Sequence, residues 1–369
     1  MGLILSSLRF LRRLLGYGDN ASNGNVNEMH PLYQLPPELF RMIINNLDLH
    51  DEFVLSQTSR GLRAVFCRHW EWEISQLPSN DRSRFWAGLA FIFPDYWACP
   101  QCCRLHPIDE SDTPNSPRNP PCGADLSLRM INPGGYSYSL QQNHIQNALK
   151  LSRMGNSHQN YLDSLMRPHQ LSRMTEFMFE PSFTETYTAR PRIINGRFIL
   201  QQEWLITDEI SIMRPLFDHI TIPGCPHLNV FGKGIMHSKW WKRTGARMTQ
   251  GSNPRLRANI FLEQAIENAI IYEGCGVICS CPRCPTDFEV KVSEDMLTAT
   301  IRAWHDFGGE GAPVDTGWDA HVKTPGLSDW TYEELRFGHV PGSIERLWVY
   351  TPEESELAIQ HWASREVNS

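Results

Sequence analysis

Between positions 37 and 47 the chain places six large apolar side chains: Leu39, Phe40, Met42, Ile43, Ile44 and Leu47. A helix is expected to begin at Pro37, where a missing N–H costs nothing. Glu38 then sits at the positive end of the helix dipole. At about 100° per residue the six side chains cover an arc of roughly 200°. Arg41 and Asn45 hold the small face that remains. Such a helix carries more apolar surface than one small core can cover, so it calls for a second partner.

The next twenty residues deepen the same constraint. A second helix is expected near 51–58, with Asp48 or Asp51 as cap and Phe53, Val54 and Leu55 apolar. Ser56, Thr58 and Ser59 break that run, and a third helix carries Leu62, Val65 and Phe66. Three short helices in about 35 residues bury little surface and are marginal alone. Association relieves both problems.

Residues 35–63, LPPELFRMIINNLDLHDEFVLSQTSRGLR, resemble the F-box. The matching positions are Leu35, Pro36, Glu38, Leu39, Ile43, Leu47, Leu55, Thr58, Ser59, Arg60 and Leu62. The resemblance implies a three-helix module that binds the Skp-type adaptor of a cullin–RING ubiquitin ligase. It implies adaptor contact through Leu35, Pro36, Leu39, Phe40, Ile43, Ile44, Leu47, Leu55 and Leu62.

Ten cysteines are present, several in tight pairs. No secretory signal peptide and no apolar run of about 18 residues is visible. Reduced thiols inside the cell, in cytoplasm or nucleus, are therefore expected, and metal binding outranks disulfides. Cys99-Pro-Gln-Cys102 is followed by Cys103, His106 and Cys122. Cys281-Pro-Arg-Cys284 is preceded by Cys279, Cys275 and Cys225-Pro-His227. A C-x-x-C turn folds two thiolates toward one ion, and zinc favours four tetrahedral N/S ligands. Spacing leaves three readings open. Two structural zinc sites would take Cys99, Cys102, His106 and Cys122, then Cys225, His227, Cys281 and Cys284. One site would join both turns. The third reading is buried thiols without metal. Cys103 and Cys279 are register alternatives, and Cys67 and Cys275 stay unassigned. A thioredoxin-like reading fails on context, because a proline-rich loop follows the first turn and a strand, Asp287–Val292, the second.

Elsewhere, residues 81–93 are expected to be helical, with Asp81 as cap and Pro94 as stop. Five prolines make 107–121 an irregular loop. Asn195-Gly196 is a type I′ hairpin signal, with strands Glu176–Thr188 before it and Phe198–Thr207 after. A helix over 256–272 and a strand over Leu297–Trp304 come next. Residues 1–15 form a basic amphipathic segment. It is compatible with a peripheral membrane contact, N-myristoylation at Gly2, a mitochondrial presequence, or docking on protein. Residues 16–30 read as a linker.

The mixture of Lys239-Trp240-Trp241-Lys242-Arg243 with Arg247, Arg255 and Arg257 is the one feature suited to single-stranded nucleic acid. The net charge of −7 argues against it. His305-Asp306 and Asp287 look like pieces of acid–base machinery. They read as structural groups, since no nucleophile, phosphate-cradling loop or H-E-x-x-H accompanies them.

The expected fold class is α+β: a small three-helix F-box, then a larger mixed domain with zinc knuckles and no solenoid repeat. The expected division is 1–30, 31–76, 77–330 and 331–369, the last with a terminal helix. The stretches FIFPDYWACPQCCRLHPIDESDTP, CPHL, CSCPRCPTDFEV and AWHDFG are similar to filamentous-fungal F-box proteins with a cysteine-containing C-terminal region. The resemblance implies a non-catalytic adaptor that bridges the Skp-type subunit to a protein substrate of unknown identity. The competing class is a zinc-stabilised binding protein without a ligase role.

Overall fold

The computed structural model describes residues 35–123, 130–131, 138–155, 158–177, 180–209, 221–225, 228–231, 256–257, 262–272, 274–281, 283–310, 318, 320–321 and 339–349. The basic segment 1–15, the linker, His227 and the tryptophan cluster 239–243 lie outside them. The chain divides into two compact units, the first running to Ile108 and the second from Asp109. No described helix is long and apolar enough to cross a membrane.

The first unit opens with α1 (Pro37–Ile44), led by Pro37 and Glu38 in its first turn. Then come α2 (Leu49–Thr58) and α3 (Arg60–Phe66). Asp48 flanks α2, which starts two residues ahead of the expected position. Ser59 separates the two helices: its backbone is extended and its side-chain oxygen accepts from the Leu62 N–H at 3.1 Å. Two further helices complete the unit, α4 (Trp70–Gln76) and α5 (Ser79–Ile92). Asp81, the expected cap, instead lies in the first turn of α5. A two-stranded hairpin closes the unit, β1 (Tyr96–Cys99) against β2 (Arg104–Pro107).

Its core joins Phe53, Leu62, Phe66, Trp70, Ile74, Phe85, Trp86, Leu89, Ala90 and Ala98. The aromatic rings meet edge to face, Phe53 with Trp70 at 5.4 Å and Phe85 with Trp86 at 5.2 Å. Gly88 lets α5 approach α2 closely, since a Cβ there would fall on the His50 ring. Alanine would gain about 1 kcal/mol of helix propensity but lose about 1–3 kcal/mol to overpacking. Gly88→Ala is therefore expected to lower the unfolding midpoint of the first unit, and a raised midpoint in a denaturant melt would refute the close packing.

The second unit begins with a short pair, β3 (Met130–Ile131) and β4 (Leu140–Gln141), and two helices, α6 (Gln142–Met154) and α7 (Gln159–Leu165). The strands β5 (His169–Phe177), β6 (Glu180–Ile194) and β7 (Arg197–Asp208) form a meander. A separate hairpin, β8 (Thr221–Cys225) with β9 (Leu228–Phe231), precedes β10 (Leu256–Arg257) and α8 (Leu262–Ile271). The strands β11 (Gly276–Ser280), β12 (Thr286–Val292) and β13 (Thr298–Gly309) follow, and among the described residues α9 (Ser343–Val349) is the last element.

Seven of these strands make one sheet, in the order β10-β11-β12-β13-β7-β6-β5. All neighbours are antiparallel except β10 with β11. The expected hairpin is present: Asn195 and Gly196, between β6 and β7, both have positive φ, 51° and 70°. The strand expected from Glu176 is two strands, because β5 turns into β6 at Glu180. The helix expected over 256–272 is the shorter α8, with Leu256 and Arg257 paired into the sheet instead. The strand expected to end at Trp304 continues to Gly309.

Side chains alternate across a strand, and this gives the two sheet faces different occupants. On one face Ile199 and Trp304 pack with Ile344 and Trp348 of α9. Asp287 lies at 0% exposure on β12, paired with Trp304. Its carboxylate accepts from the N–H groups of Ile344 and Glu345 and contacts His339 Nε2 at 3.1 Å, which ties α9 to the sheet. Thr286 and His305 pair on the opposite face. Helix α6 packs against β7, and its buried His144 is held by Asp112 at 3.0 Å.

Candidate functional site

Helix α1 has no buried residue. Leu39, Met42 and Ile43 stand 47%, 61% and 40% exposed, which is unusual for three neighbouring large side chains on one helix. Phe40 and Ile44 pack partly against the core, and Leu49 and Leu55 do the same from α2. Leu35 and Leu47 are half-buried, Pro36 is exposed and Leu62 is fully inside. The apolar arc thus divides: one side seats the helix on its own unit, the other stays open. Of the residues expected at an adaptor surface, Leu39 and Ile43 present the most apolar surface, while Leu62 is core.

Each C-P-x-C turn gathers its own ligand cluster, not one shared site. In the first unit the β1–β2 hairpin brings Cys99, Cys102 and His106 together, with ligand atoms within 4.8 Å of one another. Cys102 Sγ lies 3.1 Å from His106 Nε2, and the His106 ring lies against Trp97. A hydrogen bond from Cys102, helped by His106 and two backbone N–H groups, outweighs burial and lowers the Cys99 thiol to about 4. Cys103 turns away in a left-handed conformation and puts its sulfur 3.4 Å from Ser83 Oγ, so that register alternative drops out. Cys122, the fourth residue of the expected set, belongs to the second unit and is exposed.

In the second unit Cys225, Cys281 and Cys284 converge, all buried, again within 4.8 Å. Cys225 ends β8 and the other two span the turn from β11 to β12. That turn is fixed by Cys281 N–H to the Thr286 carbonyl at 2.8 Å and Thr286 N–H to the Cys284 carbonyl at 2.7 Å. The Arg283 N–H points back at Cys281 Sγ at 3.4 Å. Burial, reinforced by the neighbouring thiols, pushes Cys225 up; burial likewise dominates for Cys284. Three thiols crowded in a dry place ionise together only around a cation. Cys279 is buried within β11 outside this cluster, and Cys67 is an exposed helix cap. All ten cysteines are free of disulfides. Both clusters could hold a metal ion.

Sequence reasoning missed the groups beside the second cluster. Cys284 Sγ lies 3.2 Å from Thr286 Oγ1. That hydroxyl contacts His305 Nδ1 at 3.0 Å and His321 Nε2 at 3.2 Å. His305 Nε2 donates to Gln202 Oε1 at 2.8 Å, and Gln202 Nε2 donates to Tyr187 Oη. Burial, with His321 nearby, holds His305 well below the ordinary imidazole range. The strands expected over Asp287–Val292 and Leu297–Trp304 each stop one residue short of Thr286 and His305, and only the observed register shows the two side by side. Asp306 pairs with Arg197 at 2.8 Å, which fits the structural reading of His305-Asp306.

Residues 32–74 match the family model of the F-box domain. No curated protein and no solved structure matches the chain.

Proposed function

We propose that the F-box domain at residues 32–74 makes this chain the substrate-recognition subunit of an SCF-type cullin–RING ubiquitin ligase. The observation that carries the reading is the open apolar side of α1, Leu39, Met42 and Ile43, inside the matched domain. In this reading the Skp-type adaptor covers that side, and Leu35, Pro36, Phe40, Ile44, Leu47, Leu55 and Leu62 shape or support the contact. The second unit presents a protein target. Catalysis belongs to other subunits, and this chain supplies proximity. In this reading it acts inside the cell, in cytoplasm or nucleus.

Zinc fits both clusters as a structural ion. Tetrahedral bonds of ~2.3 Å place sulfurs roughly 3.8 Å apart, inside the 4.8 Å within which the ligand atoms of each cluster lie. The first cluster offers Cys99, Cys102 and His106 and the second Cys225, Cys281 and Cys284, each leaving one position of the tetrahedron for a further ligand. The metal, when bound, supplies charge and a cross-link; the chain's residues orient the thiolates and exclude water.

The test compares partners captured by full-length protein and by a variant lacking residues 31–66. Skp-type and cullin subunits are expected with the first and absent from the second. Salt-sensitive nucleic-acid retention without those subunits would overturn the reading in favour of a zinc-stabilised nucleic-acid-binding protein.

A further inference from the structure

The polar groups behind the second cluster are out of place in an otherwise apolar layer. Thr286, His305 and His321 all have 0% exposure. Burying such groups costs free energy unless each finds a partner. Both imidazoles contact the Thr286 hydroxyl, and the chain of contacts reaches sulfur at Cys284. His305 Nε2–H is committed to Gln202 Oε1, so its Nδ1 is an acceptor. Thr286 has one hydroxyl proton and two acceptors within reach, His305 Nδ1 at 3.0 Å and Cys284 Sγ at 3.2 Å. His321 Nε2, 3.2 Å from the same oxygen, can donate to it and hold it in place. A metal-bound thiolate is a charged acceptor, and hydrogen bonds to charged acceptors are about twice as strong as neutral ones.

We propose that Thr286 and His321 form the outer shell of a metal site at Cys225, Cys281 and Cys284: the Thr286 hydroxyl donates to the Cys284 sulfur, and His321 pins that hydroxyl. This rests on the metal reading of the cluster and deepens it. Thr286 is a positioning residue, and His321 is assigned as the group behind the sulfur and not as a fourth ligand. The arrangement holds Cys284 in one orientation and withdraws charge from it, which makes a firmly held, unreactive site.

The test uses full-length protein produced in cobalt-supplemented medium, as wild type, Thr286→Val and Thr286→Ser. The readouts are the cobalt–thiolate charge-transfer absorption and the rate at which metal passes to a chelator. Loss of an outer-shell partner typically weakens metal affinity about 10–100-fold. Thr286→Val is therefore expected to move the absorption band and to accelerate release from one site about tenfold or more, with Thr286→Ser restoring both. An unchanged band and rate in Thr286→Val overturns the proposal. So does a Thr286→Ser protein as impaired as Thr286→Val, since shape and not the hydroxyl would then be responsible. Should Thr286→Val fail to fold, His321→Leu carries the test, with a band shift expected and an unchanged band overturning it. Metal content of Cys281→Ser separates the two levels. If it equals wild type, the cluster holds no metal and both readings fall; if it drops by one equivalent while Thr286→Val behaves as wild type, only the outer shell falls.

Discussion

Leu39→Asp combined with Ile43→Asp is expected to abolish capture of the Skp-type subunit while leaving the chain folded. Both side chains are more than a third exposed on α1, which has no buried residue. Surface substitutions of that kind usually change stability by no more than about 0.5 kcal/mol. At an interface the same positions behave differently. A buried anchor typically contributes about 2 kcal/mol or more, and replacing it with a carboxylate adds an unpaired buried charge. Two such losses exceed about 4 kcal/mol, or roughly a thousandfold in affinity. The measurement is affinity for purified Skp-type subunit, with thermal unfolding of the free chain as control. Unchanged affinity would remove the docking surface from α1. Lost affinity together with a collapsed melting curve would instead show that the open side is part of the fold.

Cys281→Ser is expected to destabilise the second unit by at least about 4 kcal/mol, a size seen when a metal is lost and rarely otherwise. For a unit of this size that corresponds to a fall of roughly 8–16 °C in Tm. Cys67→Ser should remain within about 0.5 kcal/mol, because Cys67 is an exposed helix cap. A buried thiol without a metal also dislikes a hydroxyl in its place, so the size alone does not decide. The deciding result is that chelator lowers the wild-type melt to that of Cys281→Ser and leaves the variant where it was. A chelator-insensitive wild type would mean that the turn is packed thiol and nothing more.

Features fixed by a few neighbouring residues were legible in the sequence. Pro37 and Glu38 announce α1, and its over-wide apolar arc is seen as exposed Leu39, Met42 and Ile43. Asn195-Gly196 demands two left-handed residues, and both are there. Where local pattern and tertiary pairing compete, the sequence misleads. Leu256 and Ile260 fit a helical period, yet Leu256 and Arg257 pair with Val277 and Ile278. Between Phe177 and Glu180 no glycine, proline or asparagine marks the turn, so β5 and β6 read as one strand. Helix α4 went unseen because only Trp70 and Ile74 are buried and His69 provides no side-chain cap. At the clusters, each C-P-x-C spacing is local and was readable. One of the zinc readings also set Cys225 with Cys281 and Cys284, which the fold gathers within 4.8 Å; finding Thr286 beside His305 and His321 needs the folded unit.

On the side away from β6, the neighbour of β7 in the sheet is β13, and Thr207 pairs with Thr298 some ninety residues later. The β5–β6–β7 meander can assemble from nearby chain, but its inner strand then waits for a distant mate. At roughly 5–20 residues per second, a ribosome needs about 5–18 s to deliver that mate. During that interval β7 presents an uncapped edge, the template on which strands from other molecules stack. Long-range pairing of this kind also slows refolding from denaturant. Recovery of soluble protein should therefore depend on translation speed and holdase chaperones more than on the stability of the finished sheet.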